Sequence, residues 1–412
     1  MRRAFHSRTF RRLLLGRIVT NVGDSLYFVG AMWLVYELSG DPFVTGLAGF
    51  LTMAPSALQF LAGPLVDRWS IRRTLVGTQT IQAVVVSAVP LAYVAGHLTV
   101  TVVLVVMPTL AALNQFVYPA QTATLPRILD DEALVAANSA FSIAYQGVSM
   151  VANGVGGVLV GLLGAVVLFA IDAATFAIAA LVFATLSIPA ATTPVRSDDR
   201  LAYLDRLYEG VDLLRGTVLL WLVAGAAVVN FASGMVIATI PVYADSLAVP
   251  PALAAVGAAG SYGVLMASFA AGNLVGAVGA TLLADRRLGV VLIVGCAISG
   301  MVWTAGLLAD RLLLTAPLVA LALVPLGAIN VQLAAVVQSA PPNEYVGRLS
   351  SVMGSASAAT VPIGSLAGGA VAASFGPRAG MAGFGVGVLL LATYVLVHPS
   401  LRTLPSPTRV SL

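Results

Sequence analysis

The length of the apolar runs constrains this chain more than any other feature. Window after window holds about 18 or more mostly apolar residues bounded by Pro, Gly or charge, and a run of that length spans the hydrocarbon of a bilayer as a helix. The segments near 164–187 and 288–309 are examples. No water satisfies the backbone inside hydrocarbon, so crossing segments must make their hydrogen bonds internally, and runs of this length do so as helices. The sequence is 59% hydrophobic and 9% charged, with a mean hydropathy of +0.97. A soluble domain carries roughly a quarter charged residues and could not cover such a surface. The solvent of this fold is lipid.

Read in order, the windows predict spans near 13–38, 43–66, 74–95, 99–122, 138–161 and 164–187, and again near 217–245, 255–283, 288–309, 313–338, 349–373 and 379–398. The expected fold class is an all-α membrane protein of about twelve transmembrane helices in two pseudo-symmetric six-helix bundles. Residues 1–188 form the first bundle and 216–398 the second, joined by a cytoplasmic linker over 189–215 and followed by a tail over 399–412. The linker holds Arg196, Asp198, Asp199, Arg200, Asp205, Arg206, Glu209, Asp212 and Arg215. Leu201, Leu204, Leu207, Tyr208, Val211 and Leu214 recur between these charges at helical spacing, which predicts an amphipathic helix at the membrane surface.

Arg2, Arg3, Arg8, Arg11 and Arg12 precede the first apolar segment as in a secretory signal. That segment, Leu13 to Leu38, is too long for one, and it holds Arg17, Asn21 and Asp24. It reads as a retained helix. With the N-terminus inside, the cytoplasmic segments collect these arginines together with Arg68, Arg72, Arg73, Arg127, the linker arginines, Arg286, Arg287, Arg348, Arg402 and Arg409. The outer loops collect only Arg311 and Arg378. Both termini are therefore expected in the cytoplasm of a multi-pass plasma-membrane protein.

Several function classes drop out. All 21 basic residues are Arg and face 17 acids, giving a net charge of +4 spread over many loops. That spread is no nucleic-acid footprint. Cys296 is the only cysteine, so no internal disulfide or cysteine cluster can form. No Gly-rich loop ends in Lys with Ser or Thr, which excludes ATP drive within the chain. His6, His97 and His398 lack metal-ligand spacing. No catalytic constellation, metal or cofactor is expected, so the chain does not read as an enzyme.

Polar groups inside the spans are costly and mark function by default. Arg17, Asn21 and Asp24 stand at i, i+4 and i+7 on one face of the first helix, with about 10 Å of rise between the two charges. They are expected to line a cavity, with Asp24 taking and giving up a proton; the alternative is that Arg17 snorkels and Asp24 bonds a neighbouring helix. Asp172 in the sixth span is the other embedded acid, as fit for a structural hydrogen bond as for coupling. Asn230 and Ser233 occupy the matching region of the seventh span, so coupling charge is concentrated in the first half. Phe28, Met32, Asn114, Gln115, Tyr118, Tyr145, Gln146, Asn230, Phe231 and Asn330, with Met235 and Gln332, are candidates for a mixed polar and aromatic substrate cavity. Gly154, Gly157 and Gly161, and Gly364 and Gly368, have the spacing of close helix packing.

The halves echo one another. Ala62 to Arg68 after the second span corresponds to Ala280 to Arg286 after the eighth, and the loop holding Leu125, Pro126 and Arg127 corresponds to that holding Pro342, Asn343 and Glu344. The stretch from Gly63 through Asp67, Arg68 and Trp69 to Arg72 and Arg73 resembles the loop signature of the major facilitator superfamily. Phe10 to Leu13, Gly16-Arg17, Gly23-Asp24 and Tyr36 to Gly40 are similar to its macrolide-efflux and enterobactin-export branch. The signature departs at Ser70 and Ile71, and Ala152 to Gly157 lacks the proline of the antiporter motif. The resemblance implies a cytoplasmic gate of Gly63, Asp67, Arg68, Arg72 and Arg73 with a weaker copy at Asp285 and Arg286. It further implies a monomeric exporter of a small hydrophobic or amphipathic compound, working by alternating access with protons or another ion as coupling species. An importer or lipid or metabolite transporter on the same fold, and a non-transporting membrane scaffold or sensor, remain the alternatives.

Overall fold

The computed structural model describes residues 5–58, 69–189, 218–249, 257–339 and 343–406. Among the described residues every long element is a helix, and ten helices are long and apolar enough to cross a membrane, with a shorter apolar stretch at Ala359–Phe375. Two compact units emerge: Met1–Leu38 with Leu51–Leu201, and Ser39–Phe50 with Ala202–Leu412.

The first unit holds α1 (Arg8–Ser39), the end of α2 (Pro42–Met53), α3 (Ile71–Val94), α4 (Val100–Asn114), α5 (Val117–Ile128), α6 (Asp131–Leu163) and α7 (Ala165–Ala184). Helix α1 runs antiparallel to α7 along three glycines spaced by two turns. A Cβ on Gly16 would strike the Phe183 ring, one on Gly23 would strike Asp172 and Thr175, and one on Gly30 would meet Leu168. Small residues let two backbones approach where lipid supplies no hydrophobic drive between helices. At the end of α7, Arg12 Nη1 donates to Thr185 O at 3.1 Å and Arg72 donates to Ala184 O. Two cations thus satisfy carbonyls at the negative end of the helix dipole.

One expectation of a loop is corrected here. Leu125, Pro126 and Arg127 lie in the last turn of α5, and Glu132 and Asn138 lie on α6, so the turn between them is short. The fourth span instead kinks at Gln115 and Phe116, whose amides bond three residues back to Ala112 and Leu113. Pro119 lacks the N–H that Gln115 O would accept, which accounts for the kink.

The second unit holds α8 (Val218–Ser246), α9 (Gly257–Gly279), α10 (Leu288–Leu308), α11 (Leu312–Ser339), α12 (Asn343–Phe375), α13 (Pro377–Val397) and a terminal turn, α14 (Pro399–Arg402). Asn343 to Arg348 are therefore helical rather than loop. Gly364 and Gly368 lie against the backbone of Phe231 and Met235, the close packing their spacing predicts. The fully buried Trp303 donates from Nε1 to Met381 O at 2.9 Å and packs edge-on to Phe269 and at a tilt against Phe384. After α14, Leu404 O and Pro405 O accept from Gly289 N and Leu288 N, so the chain end satisfies the first amides of α10. In the same unit, Ser365 Oγ donates to Gly46 O at 3.2 Å.

Candidate functional site

The first unit encloses a cavity of about 480 Å³ whose wall is built by four spans. From α1 come Arg17, Ile18 and Asn21; from the kinked fourth span come Asn114, Gln115, Tyr118, Gln121 and Thr122; from α6 come Asn138, Phe141, Ser142, Ala144, Tyr145 and Gln146; Ser56 completes it. The kink turns the side chains of Asn114 and Gln115 to the same space as Tyr118. This one space brings together Arg17, Asn21, Asn114, Gln115, Tyr118, Tyr145 and Gln146.

Asn21 does two things. Its Nδ2 donates to Tyr145 O at 2.8 Å and its Oδ1 accepts from Ser149 Oγ at 3.1 Å, so it ties α1 to α6 while its surface faces the cavity. Arg17 is half-buried, and its guanidinium donates to Thr20 Oγ1 at 3.4 Å. Asp24 is half-buried two turns further on, outside the cavity wall and within electrostatic reach of Arg17.

Asp172 is fully buried on α7 beside Gly23. Its Oδ1 accepts from Thr175 Oγ1 at 3.1 Å, whereas Oδ2 has no hydrogen-bond partner among the described residues. The buried Tyr27 hydroxyl, one turn along α1 from Asp24, is also without one there, and its ring packs edge-on to Phe169 at 5.2 Å. Asp24 and Asp172 lie within electrostatic reach of each other. An unmatched carboxylate oxygen of this kind costs about 1–3 kcal/mol.

The second unit holds a different cavity, of about 390 Å³. Leu, Ile, Val and Ala dominate its wall, with Trp221, Met266, Phe269, Cys296 and Phe384; its polar members are Asn230, Ser233, Asn273 and Asn330. Leu401 of the terminal turn also lines it. Five residues proposed for a cavity line neither space: Phe28 is half-buried, Met32, Met235 and Gln332 are buried, and Phe231 meets Gly364 through its backbone. Gln332 is buried with both amide atoms unpartnered among the described residues. Sequence reasoning missed Gln121, Ser142 and Phe141; for Gln121 the fourth-span register, Tyr118 to Gln121 to Thr122, was the available signal.

Residues 13–364 match the sequence profile of the Major Facilitator Superfamily. The chain belongs to that superfamily. Over 146 residues it is 34% identical to the uncharacterized MFS-type transporter Mb0038c of Mycobacterium bovis, spanning 34% of this chain and 32% of that protein. Over 145 residues it is 27% identical to the MFS-type transporter YvqJ of Bacillus subtilis, 35% of this chain and 34% of the relative. The chain thus matches about a third of the length of these curated relatives. Among solved structures it resembles the nucleoside transporter NupG, with a TM-score of 0.69, 13% identity, and 95% and 97% of the two chains covered. A bacterial homolog of the human lysosomal transporter Spinster gives 0.67 at 15% identity over 94% of each. At these identities the likeness establishes the fold, an all-α multi-pass membrane protein on the twelve-helix plan.

In this major facilitator chain, Gly63, Asp67 and Arg68 of the expected gate lie outside the described residues, as does the linker helix. Arg72 and Arg73 are exposed at the start of α3, with Arg72 on the end of α7. Asp285 and Arg286 are exposed ahead of α10.

Proposed function

We propose that this major facilitator protein is a secondary transporter that exports a small amphipathic compound across the plasma membrane by alternating access, in exchange for protons. The observation that carries the reading is the polar cavity of the first unit, with Arg17 and Asn21 in its wall, on a helix that also carries Asp24 within the span. Maintaining that polarity in a membrane span is costly without a ligand or a moving charge to serve. The apolar and aromatic members of the same wall, Ile18, Phe141, Tyr118 and Tyr145, suit the rest of an amphipathic cargo. Asp24 is the proton carrier in this reading, and Asp172, buried beside Gly23, is the acid whose charge state responds to it. The arginine distribution favours cytoplasmic termini, a monomer suffices, and the few charged cavity groups favour export over import.

The test is uphill flux in proteoliposomes under an imposed pH gradient, run on a panel of amphipathic compounds chosen by protection of an efflux-deficient host. Asp24→Asn is expected to remove the pH-driven component by at least tenfold while downhill exchange persists. Flux unchanged in the variant would remove Asp24 from the mechanism. A protein that moves no compound in either direction would leave the scaffold alternative standing.

A further inference from the structure

The wall of the polar cavity carries a charge with no counter-charge in the wall itself. Among the described residues Arg17 is the only charged group lining it. The guanidinium holds five N–H donors in a planar fork, and its hydrogen bond to Thr20 Oγ1, at 3.4 Å, is long. Asp24 acts on it electrostatically from outside the wall but makes no hydrogen bond to it among the described residues. Gln121 adds a second unfilled donor. It lines the cavity, is 6% exposed, and its side-chain amide makes no hydrogen bond among the described residues. Asn21, by contrast, is already engaged by Tyr145 and Ser149. Around these donors stand apolar and aromatic surfaces: Ile18, Phe141, and the rings of Tyr118 and Tyr145.

A half-buried cation with spare donors, a buried amide with none of its bonds made, and aromatic walls in a space of about 480 Å³ describe the complement of an anion with an apolar body. We infer that the cargo is an organic acid, its carboxylate held by Arg17 and Gln121 and its aromatic or aliphatic part lying along Phe141, Tyr118 and Tyr145. The assignment rests on the transport reading of the same cavity and narrows its substrate class. A guanidinium pairs with a carboxylate bidentately, and such charge-assisted pairs are roughly twice as strong as neutral hydrogen bonds. A neutral amide of the same shape offers one acceptor and no charge. The cavity therefore discriminates between acid and amide by its electrostatics, not by its volume.

A matched fluorescent pair tests this directly: dansylglycine against dansylglycinamide, titrated into the full-length protein in phosphatidylcholine nanodiscs. The acid is expected to bind saturably and about tenfold or more tighter than the amide, the usual worth of one charge-assisted pair. Arg17→Gln should erase the difference, Arg17→Lys should keep part of it, and Gln121→Leu should weaken the acid severalfold with less effect on the amide. Equal affinity of the two probes for the wild-type protein, absence of saturable acid binding, or a preference that survives Arg17→Gln overturns the inference. Repeating the titration with phosphatidylglycerol in the discs separates a soluble acid from a lipid headgroup: loss of the site there assigns the anion to lipid and overturns the cargo assignment. Acid preference without pH-driven flux would keep the anion site and sink proton exchange. Proton-driven flux with equal probe affinity would do the reverse.

Discussion

The two cavities sit in units of one superfamily plan and differ in nearly everything but size. The first, of about 480 Å³, is walled by amides, hydroxyls and one guanidinium; the second, of about 390 Å³, is walled by aliphatic and aromatic side chains with three asparagines and a serine. The helices that open each unit differ in the same sense. Helix α1 carries Arg17, Asn21 and Asp24, whereas α8 carries Asn230 and Ser233 at the matching depth and no charge until Asp245 at its end. Repetition sets the helical plan, and charge is not part of what is repeated. On the transport reading, the first unit holds the charged groups that act on ion and cargo, and the second unit lacks them.

The comparison breaks first if the α1–α7 contact is not what holds the acids in place. A side chain on Gly23 would overlap Thr175 Oγ1 and Asp172 Oδ1, while Gly77 on α3 has open space around it. Gly23→Leu should therefore cost about 3 kcal/mol or more by overpacking. The expected readout is loss of the monodisperse peak in fluorescence-detected size exclusion, with Gly77→Leu near wild type. A well-behaved, fully active Gly23→Leu protein would mean that Asp172 is not seated by the glycine.

A smaller effect separates function from packing. Both units bury polar atoms without partners among the described residues: Asp172 Oδ2 in the first, both amide atoms of Gln332 in the second. Replacing either with Leu removes an unmet group worth about 1–3 kcal/mol, so both variants should melt a few degrees higher. Thr175 keeps its bond to Asp172 O at 2.9 Å, so the first change strands no hydroxyl. The variants should part in flux. Asp172→Leu is expected to lose pH-driven transport and Gln332→Leu to retain it. Loss in both would spread coupling over the two units and end the division of labour drawn above.

The sequence made the spans and the polar face of α1 legible because both follow from spacing along one helix. It could not place partners across helices. In lipid both faces of a span are apolar, so hydrophobic periodicity no longer marks the buried side, and the rotation of a helix about its axis goes unreported. That is why Phe28, Met32 and Phe231, plausible as cavity walls by type, line neither described cavity, while Gln121 and Phe141 go unnoticed. Gly23 illustrates the same limit. Its place beside Asp24 is visible in the sequence, but its use as a seat for Asp172, about 150 residues away, is tertiary. Arg72 was readable as a basic residue near a helix start; its bond to the last turn of α7 was not.

The smallest effect concerns the exposed counterpart of the buried acid. Asp310, between α10 and α11, takes a φ of 52°, the one positive value outside glycine among the described residues, and pairs with Arg378 at the start of α13. Its carbonyl accepts from Ala248 N at 3.2 Å, so three chain segments of the second unit meet there. Asp and Asn tolerate the left-handed region better than other side chains, so Asp310→Asn removes the charge without the conformational penalty. The pair is half-exposed, with side chains 57% and 50% accessible. Ion pairs of that kind contribute about 0–1 kcal/mol and are screened by salt. Asp310→Asn should lower the melting temperature by a degree or two at low ionic strength and not at all near 1 M salt, where the Debye length falls to about 3 Å. Asp310→Ala adds the backbone cost and should stay below wild type at every salt concentration. If the two variants instead behave alike at high salt, the left-handed turn carries no strain for alanine, and the contrast between a structural exposed acid and a functional buried one would rest on Asp172 alone.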